Sequence, residues 1–380
     1  MKLGKLYKDF IKNEQISGAL LLLCAVFSMV LSNSSIGGSY LNLWHTEIAH
    51  KPFEFWINDG LMTVFFLLVG LEIKREVFIG ELSDIRKSLL PILAAVGGMI
   101  VPALIHFSLN YGTNTQSGFG IPMATDIAFS LAVLSLLGRR VPLQLKIFLT
   151  ALAIIDDLGA IIVIAFFYAK GFSALYLGIA IVLFVLMLVL NRLKIYYISI
   201  YLLIGMIMWF CMYRSGVHPT ISGVLLALAI PFGKGDEESL SYRLQQKLHS
   251  PVTFIVLPLF ALANTAISIP IEVIKGLSSS NSYGIFLGLL AGKPLGIFSF
   301  SFIGITLGWC SLPNGLKKQH LFWIGLLAGI GFTMSIFITL LAFTDSVIID
   351  TSKIAVIIGS IVSALLGYIG LRLTLKPQGN

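Results

Sequence analysis

Charge is what this 380-residue chain has least of: 12% of its side chains are charged and 57% are hydrophobic, against roughly 25% and 45–50% in soluble domains. That shortage excludes a soluble globular fold. Long polar stretches are missing too. Apolar runs recur from Ile16 to Leu373 with no polar interval long enough to fold alone, which leaves one polytopic membrane domain over residues 1–380. Cysteine is scarce, and Cys24, Cys211 and Cys310 lie far apart, each in or beside an apolar run. They make no disulfide frame or metal spacing and read as small core hydrophobes. The six histidines show no HExxH or similar pattern, and His218 in Ser215-Gly-Val-His-Pro-Thr220 reads as a loop or interface residue. Enzyme chemistry finds no foothold, and nothing calls for a cofactor.

Basic residues outnumber acidic ones, 26 to 18. Spread over short loops, they suit anionic lipid headgroups and the orientation of a membrane protein, not nucleic acid. Lys2, Lys5, Lys8 and Lys12 ahead of residues 16–31 have the charge order of a signal peptide, but no Ala-x-Ala cleavage site follows in Ser32-Asn33-Ser34-Ser35. The segment reads as an uncleaved first span.

A helix needs about 17 to 25 apolar residues to cross roughly 30 Å of hydrocarbon. About twelve runs qualify, so the expected fold class is an all-α polytopic membrane protein of twelve transmembrane helices. They fall near 16–31, 59–78, 89–110, 119–138, 144–169, 172–190, 195–213, 216–232, 252–272, 283–309, 320–343 and 353–373, with the cut at Lys170-Gly171 the least marked. Twelve spans place both termini on one face. Loops near 74–87, 139–146, 192–194, 234–247 and 317–318 join them there, and this face collects 20 of the 26 Lys and Arg. The opposite face holds Lys51, Lys170, Arg214, Lys275 and Lys353. The asymmetry makes the first face cytoplasmic.

Two spans are interrupted alike. Span four reads Gly120-Ile-Pro-Met-Ala-Thr-Asp-Ile127 and span eleven reads Gly329-Ile-Gly-Phe-Thr-Met-Ser-Ile336, with a helix breaker third in both. Breakers in corresponding spans of two halves point to broken helices at a transporter midplane. Gly and Pro are also common in membrane helices generally, so the pattern alone fits either reading.

The sharpest feature is Asp156-Asp157, with apolar residues on both sides from Ala151 to Val163. Each ionised Asp at a helix centre costs about 2.5 to 3.5 kcal/mol on the insertion scale. A helix-end cap would need a cluster of turn residues, and only Gly159 is near. Adjacent carboxylates diverge by about 100°, so they can line one cavity without ligating an ion identically, and two anions in a poorly hydrated site disfavour joint ionisation. Asp126 and Lys293 lie at similar depth. Broken helices meeting end to end would set two positive and two negative helix ends facing each other, and an Asp and a Lys there would offset them. Lys293 is not a P-loop lysine, because Gly288-Leu-Leu-Ala-Gly292 precedes it and Pro294 follows. Gly233-Lys-Gly-Asp236 resembles the GxGD of intramembrane aspartyl proteases, but it sits in a charged loop and no Tyr-Asp pair occurs.

The stretches Phe65-Phe-Leu-Leu-Val-Gly-Leu-Glu-Ile-Lys-Arg-Glu76, Ala124-Thr-Asp-Ile-Ala-Phe129, Ala153-Ile-Ile-Asp-Asp-Leu-Gly159, Gly292-Lys-Pro-Leu-Gly296 and Gly329-Ile-Gly-Phe-Thr-Met-Ser-Ile-Phe337 together resemble the signatures of the NhaA family of bacterial sodium/proton antiporters. They run in order from span two to span eleven. The inverted-repeat rule for transporters was drawn partly from this family, so the agreement is not independent.

The resemblance implies spans 3–5 and 10–12 as inverted-topology repeats, with spans four and eleven broken and crossing at the midplane. It implies Asp156 and Asp157 as carboxylates for Na+ or Li+ and for protons, with Thr125 a neighbouring oxygen ligand. Asp126 and Lys293 would offset the broken-helix termini, and Lys293 would also bridge to Asp156 and serve as a proton carrier. Glu72, Arg75, Glu76 and His249 would set the pH response. Where the family often has an acid and a His at the start of span nine, this chain has Gln245-Gln246, which puts the pH profile in question and not the transport chemistry. Residues 33–50 would form an extracellular hairpin through which a homodimer assembles, although their composition fits a plain loop equally.

The expected function is a non-enzymatic, electrogenic and pH-regulated Na+(Li+)/H+ antiporter of the bacterial inner membrane, with Na+, Li+, protons and lipids as partners. An oxygen-only site suits a hard alkali cation. The alternative is a sodium-coupled symporter of an organic anion on a similar scaffold, which would need a roomier polar pocket; a third reading, a channel, would lack saturable counter-ion-dependent flux.

Overall fold

In hydrocarbon a backbone N–H or C=O finds no water, so apolar runs of this length form helices that satisfy their own bonds. The computed structural model describes residues 2–169, 171–313 and 315–375; Lys170 lies outside them. Among the described residues ten helices are long and apolar enough to cross a membrane, from Gln15–Ser32 to Ser346–Thr374. A further pair, Lys318–Ala328 and Phe332–Ala342, is bent by 53° at its break and makes an eleventh span. The chain is thus a helical multi-pass membrane protein. The strands among the described residues are Glu47–Ile48 and Lys51–Pro52, antiparallel in register Glu47 to Pro52.

The run at 216–232 forms only Ile221–Ala229, about 14 Å of helix at 1.5 Å per residue. Pro231 ends it, because the residue before a proline avoids helical angles, and Ile230 turns to ψ 134°. Span nine begins earlier than the apolar run, at Leu240. The hydroxyl of Ser239 accepts the Tyr242 amide and caps a polar helix, Leu240–Pro251, that continues through a π-helical turn, Val252–Val256. A second π turn, Gly288–Gly292, precedes Lys293 and Pro294 in span ten. The wider turn accommodates a proline that has no N–H to donate.

The chain divides into two compact units, one of Met1–Gly37, Asp84–Ala160 and Asn264–Asn380, the other of Gly38–Ser83 and Ile161–Ala263. The first has a core of Leu134, Leu145, Leu152, Ile297, Ile324 and Ile330 from spans four, five, ten and eleven. In it, spans three and ten cross backbone to backbone: a Cβ on Gly296 would collide with the Gly97 carbonyl, and one on Gly97 with the Gly296 carbonyl. That close approach lies one helical turn from Lys293. In the second unit, spans two and eight pack as closely, since a Cβ on Gly223 would strike the Thr63 carbonyl.

Candidate ion-binding site

Span four does not run as one α-helix. Gln116–Met123 is a 3-10 helix containing Pro122, Ala124 is extended with ψ 147°, and α-helix resumes at Ile127–Ser135. Span eleven unwinds at Gly329–Gly331. The two breaks bond to each other directly, the Asp126 amide donating to the Ile330 carbonyl at 2.7 Å. Ser130 Oγ donates to the Leu327 carbonyl and Ser335 Oγ to the Ile121 carbonyl, at 2.8 and 2.6 Å. Backbone groups freed by unwinding are thereby satisfied within protein, the condition for irregular backbone at membrane depth.

Asp126 serves the positive helix ends. Its Oδ1 accepts the Phe129 amide at 3.0 Å, in the first turn of Ile127–Ser135. Its Oδ2 accepts the Thr333 amide at 3.1 Å and the Thr333 hydroxyl at 2.5 Å, at the start of Phe332–Ala342. One carboxylate thus bridges two helix N-termini, where negative charge is favoured.

Lys293, Asp156 and Thr125 form a second group, all at most 1% exposed. The Lys293 ammonium is paired with Asp156 Oδ2 and donates to Thr125 Oγ1 at 2.9 Å. Thr125 Oγ1 lies 2.7 Å from Asp156 Oδ2 and 2.8 Å from the Ala328 carbonyl, the last of the helix Lys318–Ala328. A hydroxyl has one proton, so it serves one of these acceptors at a time. Lys293 therefore reaches the negative end of that helix through Thr125, not directly. Asp156 Oδ1 is buried with no hydrogen-bond partner among the described residues. Asp157, the next residue of the unbroken helix Leu143–Phe167, is 2% exposed. Gly159 leaves room beside the pair for Met99, whose sulfur a Cβ there would strike.

The residues matched to the pH response lie in the second unit. The Arg75 guanidinium stacks on the Tyr242 ring with its carbon 5.2 Å from the centroid, tying span two to the polar start of span nine. Glu76 Oε2 accepts the Glu81 amide at 2.9 Å. Glu72 is half-buried and His249 exposed, and no ion pair joins Glu72, Arg75, Glu76 and His249 among the described residues.

Sequence reading missed two residues. Lys74, counted above as a loop charge, is buried in a helix that continues to Phe78. It donates to the carbonyls of Leu228 and Ile230 at 2.7 and 2.6 Å and of Ala227 at 3.3 Å, closing the C-terminal end of the short helix Ile221–Ala229. Helical spacing was the available signal, since Lys74 shares a face with buried Leu67, Gly70 and Leu71. Ser360 accepts two amides of the span-eleven break, and no sequence signal separates it from other serines of span twelve.

Residues 8–371 match the family model described as Na+/H+ antiporter 1. A Na+/H+ antiporter NhaA of Flavobacterium psychrophilum is 56% identical over 376 residues, covering 99% of this chain and 98% of that protein. One of Cytophaga hutchinsonii is 54% identical over 381 residues, with 100% and 98% covered, and one of Vibrio cholerae is 45% identical over 378, with 98% and 99% covered. With that match over nearly the whole length, the chain belongs to the Na+/H+ antiporter 1 family.

Proposed function

We propose that this protein exchanges Na+ or Li+ for protons across the bacterial inner membrane by alternating access around Asp156 and Asp157. The observation that carries the reading is a buried carboxylate, Asp156, shared between an ammonium and a hydroxyl at the crossing of two broken helices. The functional names of the full-length relatives support the same conclusion. Na+ entering at Asp156 and Asp157 replaces protons, and Lys293 releases Asp156 Oδ2 as the cation takes its place. Two protons leaving for one Na+ make the exchange electrogenic. Thr125 supplies a neutral oxygen beside the carboxylates, and an all-oxygen site favours a hard alkali cation.

Opposed breaks in spans four and eleven support an inverted pairing of spans 3–5 with 10–12. The concentration of Lys and Arg on one face supports cytoplasmic termini. Residues 33–50, which include the first strand of the short hairpin Glu47–Pro52, are the segment through which two copies pair. Proteoliposomes carrying a preset pH gradient test the function. Added Na+ or Li+ collapses the gradient and an organic anion does not; collapse by an organic anion with Na+ would favour symport.

The pH response is assigned to Glu72, Arg75, Glu76 and His249, with Gln245-Gln246 leaving it weak. Of these residue types only histidine ordinarily titrates near neutrality. A Gln245→Glu, Gln246→His double variant restores a titrating group and a charge next to Tyr242 and Arg75. Its activity-versus-pH curve between about pH 6 and 9 is expected to be steeper than the wild type's or to have a displaced midpoint. Superimposable curves at saturating Na+ would leave proton competition at Asp156 and Asp157 as the whole of the pH dependence.

A further inference from the structure

Three consecutive amides at the start of Phe332–Ala342 point into the crossing, and they are not all served by Asp126. Gly331 and Phe332 donate to Ser360 Oγ at 3.2 and 3.1 Å, and only Thr333 donates to Asp126. Ser360 belongs to span twelve, is 4% exposed and has no part in the ion chemistry described above. It is an uncharged acceptor at a positive helix end, a place where a carboxylate is ordinarily favoured. We infer that Ser360 is a positioning residue for the cation site: by holding two of the three amides it leaves Asp126 one amide of span eleven, and so keeps the unwound segment 124–126 in register with Asp156.

The chain of contacts is short. Asp126 divides its oxygens between the two helix starts, Oδ1 to Phe129 and Oδ2 to Thr333. Its own amide is bound to the Ile330 carbonyl, and the residue before it, Thr125, holds Asp156 and Lys293. Without the Ser360 hydroxyl, two buried amides lose their acceptor. Asp126, which already accepts the next amide along, that of Thr333, is the charged acceptor that competes for them. Drawing its carboxylate toward them releases Phe129 or turns the backbone at 125–126, and Thr125 Oγ1 then leaves its place between Lys293 and Asp156. An unsatisfied buried donor is costly enough to drive such a shift. The effect falls on binding geometry, because no charge is added or removed.

The inference rests on the cation site proposed above, and the experiment separates the two. Wild type, Ser360→Ala, Ser360→Thr and Asp126→Asn, with the Ser360→Ala/Asp126→Asn double variant, are compared in Na+-driven exchange and in Na+-dependent thermal stabilisation in detergent; the second readout needs no turnover. Ser360→Ala is expected to raise the apparent KM for Na+ about three- to tenfold, the scale of one lost hydrogen bond, with the rate at saturating Na+ within about twofold of wild type. Ser360→Thr, which restores the acceptor, is expected to match wild type. In the Asp126→Asn background the Ser360→Ala change should add little, since both act through one carboxylate. An unchanged KM in folded Ser360→Ala, Ser360→Thr behaving like Ala, or additive effects would each overturn the inference. Should Ser360→Ala not survive purification, Ser360→Cys, a weaker acceptor of similar size, carries the same test with a smaller rise in KM. No Na+ response in the wild type would instead defeat the cation-site reading itself.

Discussion

Asp157→Asn is expected to reduce Na+-driven proton movement in proteoliposomes at least about a hundredfold, a loss of more than about 2.7 kcal/mol in transition-state stabilisation. Asn has nearly the same shape, so the packing around this buried position is kept. What is lost is a negative charge that a cation needs and a proton site that the exchange needs. The fold should survive, because replacing a buried ionisable group by a neutral isostere removes a desolvation cost. Two measurements distinguish this from misfolding. The melting temperature without Na+ should stay near the wild-type value, and the rise on adding Na+ or Li+, a direct consequence of ligand binding to the folded state, should vanish. Exchange retained at a substantial fraction of the wild-type rate would remove Asp157 from the site.

The second large effect is on Lys293. Its ammonium is fully buried, paired with Asp156 and bonded to Thr125. Removing one partner of a buried ion pair typically costs about 3–5 kcal/mol, because the other charge is left uncompensated. Lys293→Met is therefore expected to lower stability strongly and to abolish exchange. Taking up a proton relieves a stranded carboxylate, so the loss of stability should be smaller in acid than in alkali, checked by melting curves across pH. Lys293→Arg keeps the charge but not the ease of deprotonation. If Lys293 carries a proton, this variant exchanges without sensitivity to membrane potential. Unchanged electrogenicity in Lys293→Arg would leave it the structural part alone.

How far each of these groups could be read from the linear chain depends on what made it conspicuous. Asp156, Asp157, Asp126 and Lys293 stood out because an ionisable residue amid apolar neighbours is expensive in a bilayer. Pro122 with Gly329 and Gly331 stood out because they interrupt otherwise regular runs. Lys74 looked like a loop charge because it stands in the charged cluster Glu72-Ile-Lys-Arg-Glu76 at the end of its span, and hydropathy does not register which charge of such a cluster turns inward. Ser360 looked like nothing, since one hydroxyl in a membrane helix can satisfy itself on its own backbone, and its function depends on amides almost thirty residues away.

By itself the sequence determined that this is a helical multi-pass membrane protein, roughly where its spans lie, and which charges must be compensated inside it, because hydrocarbon penalises each polar group locally and so writes its demands into composition and run length. Only the tertiary structure decided the partners: that Asp126 bridges the two positive helix ends, that Lys293 reaches the negative end through Thr125, that the α-helix of span eight is confined to Ile221–Ala229, and that Lys74 and Ser360 close helix ends in other spans. Those choices turn on distances of about 3 Å between residues far apart in the chain, set by which backbones can approach, as at Gly97 and Gly296, and a one-dimensional pattern carries no such distance.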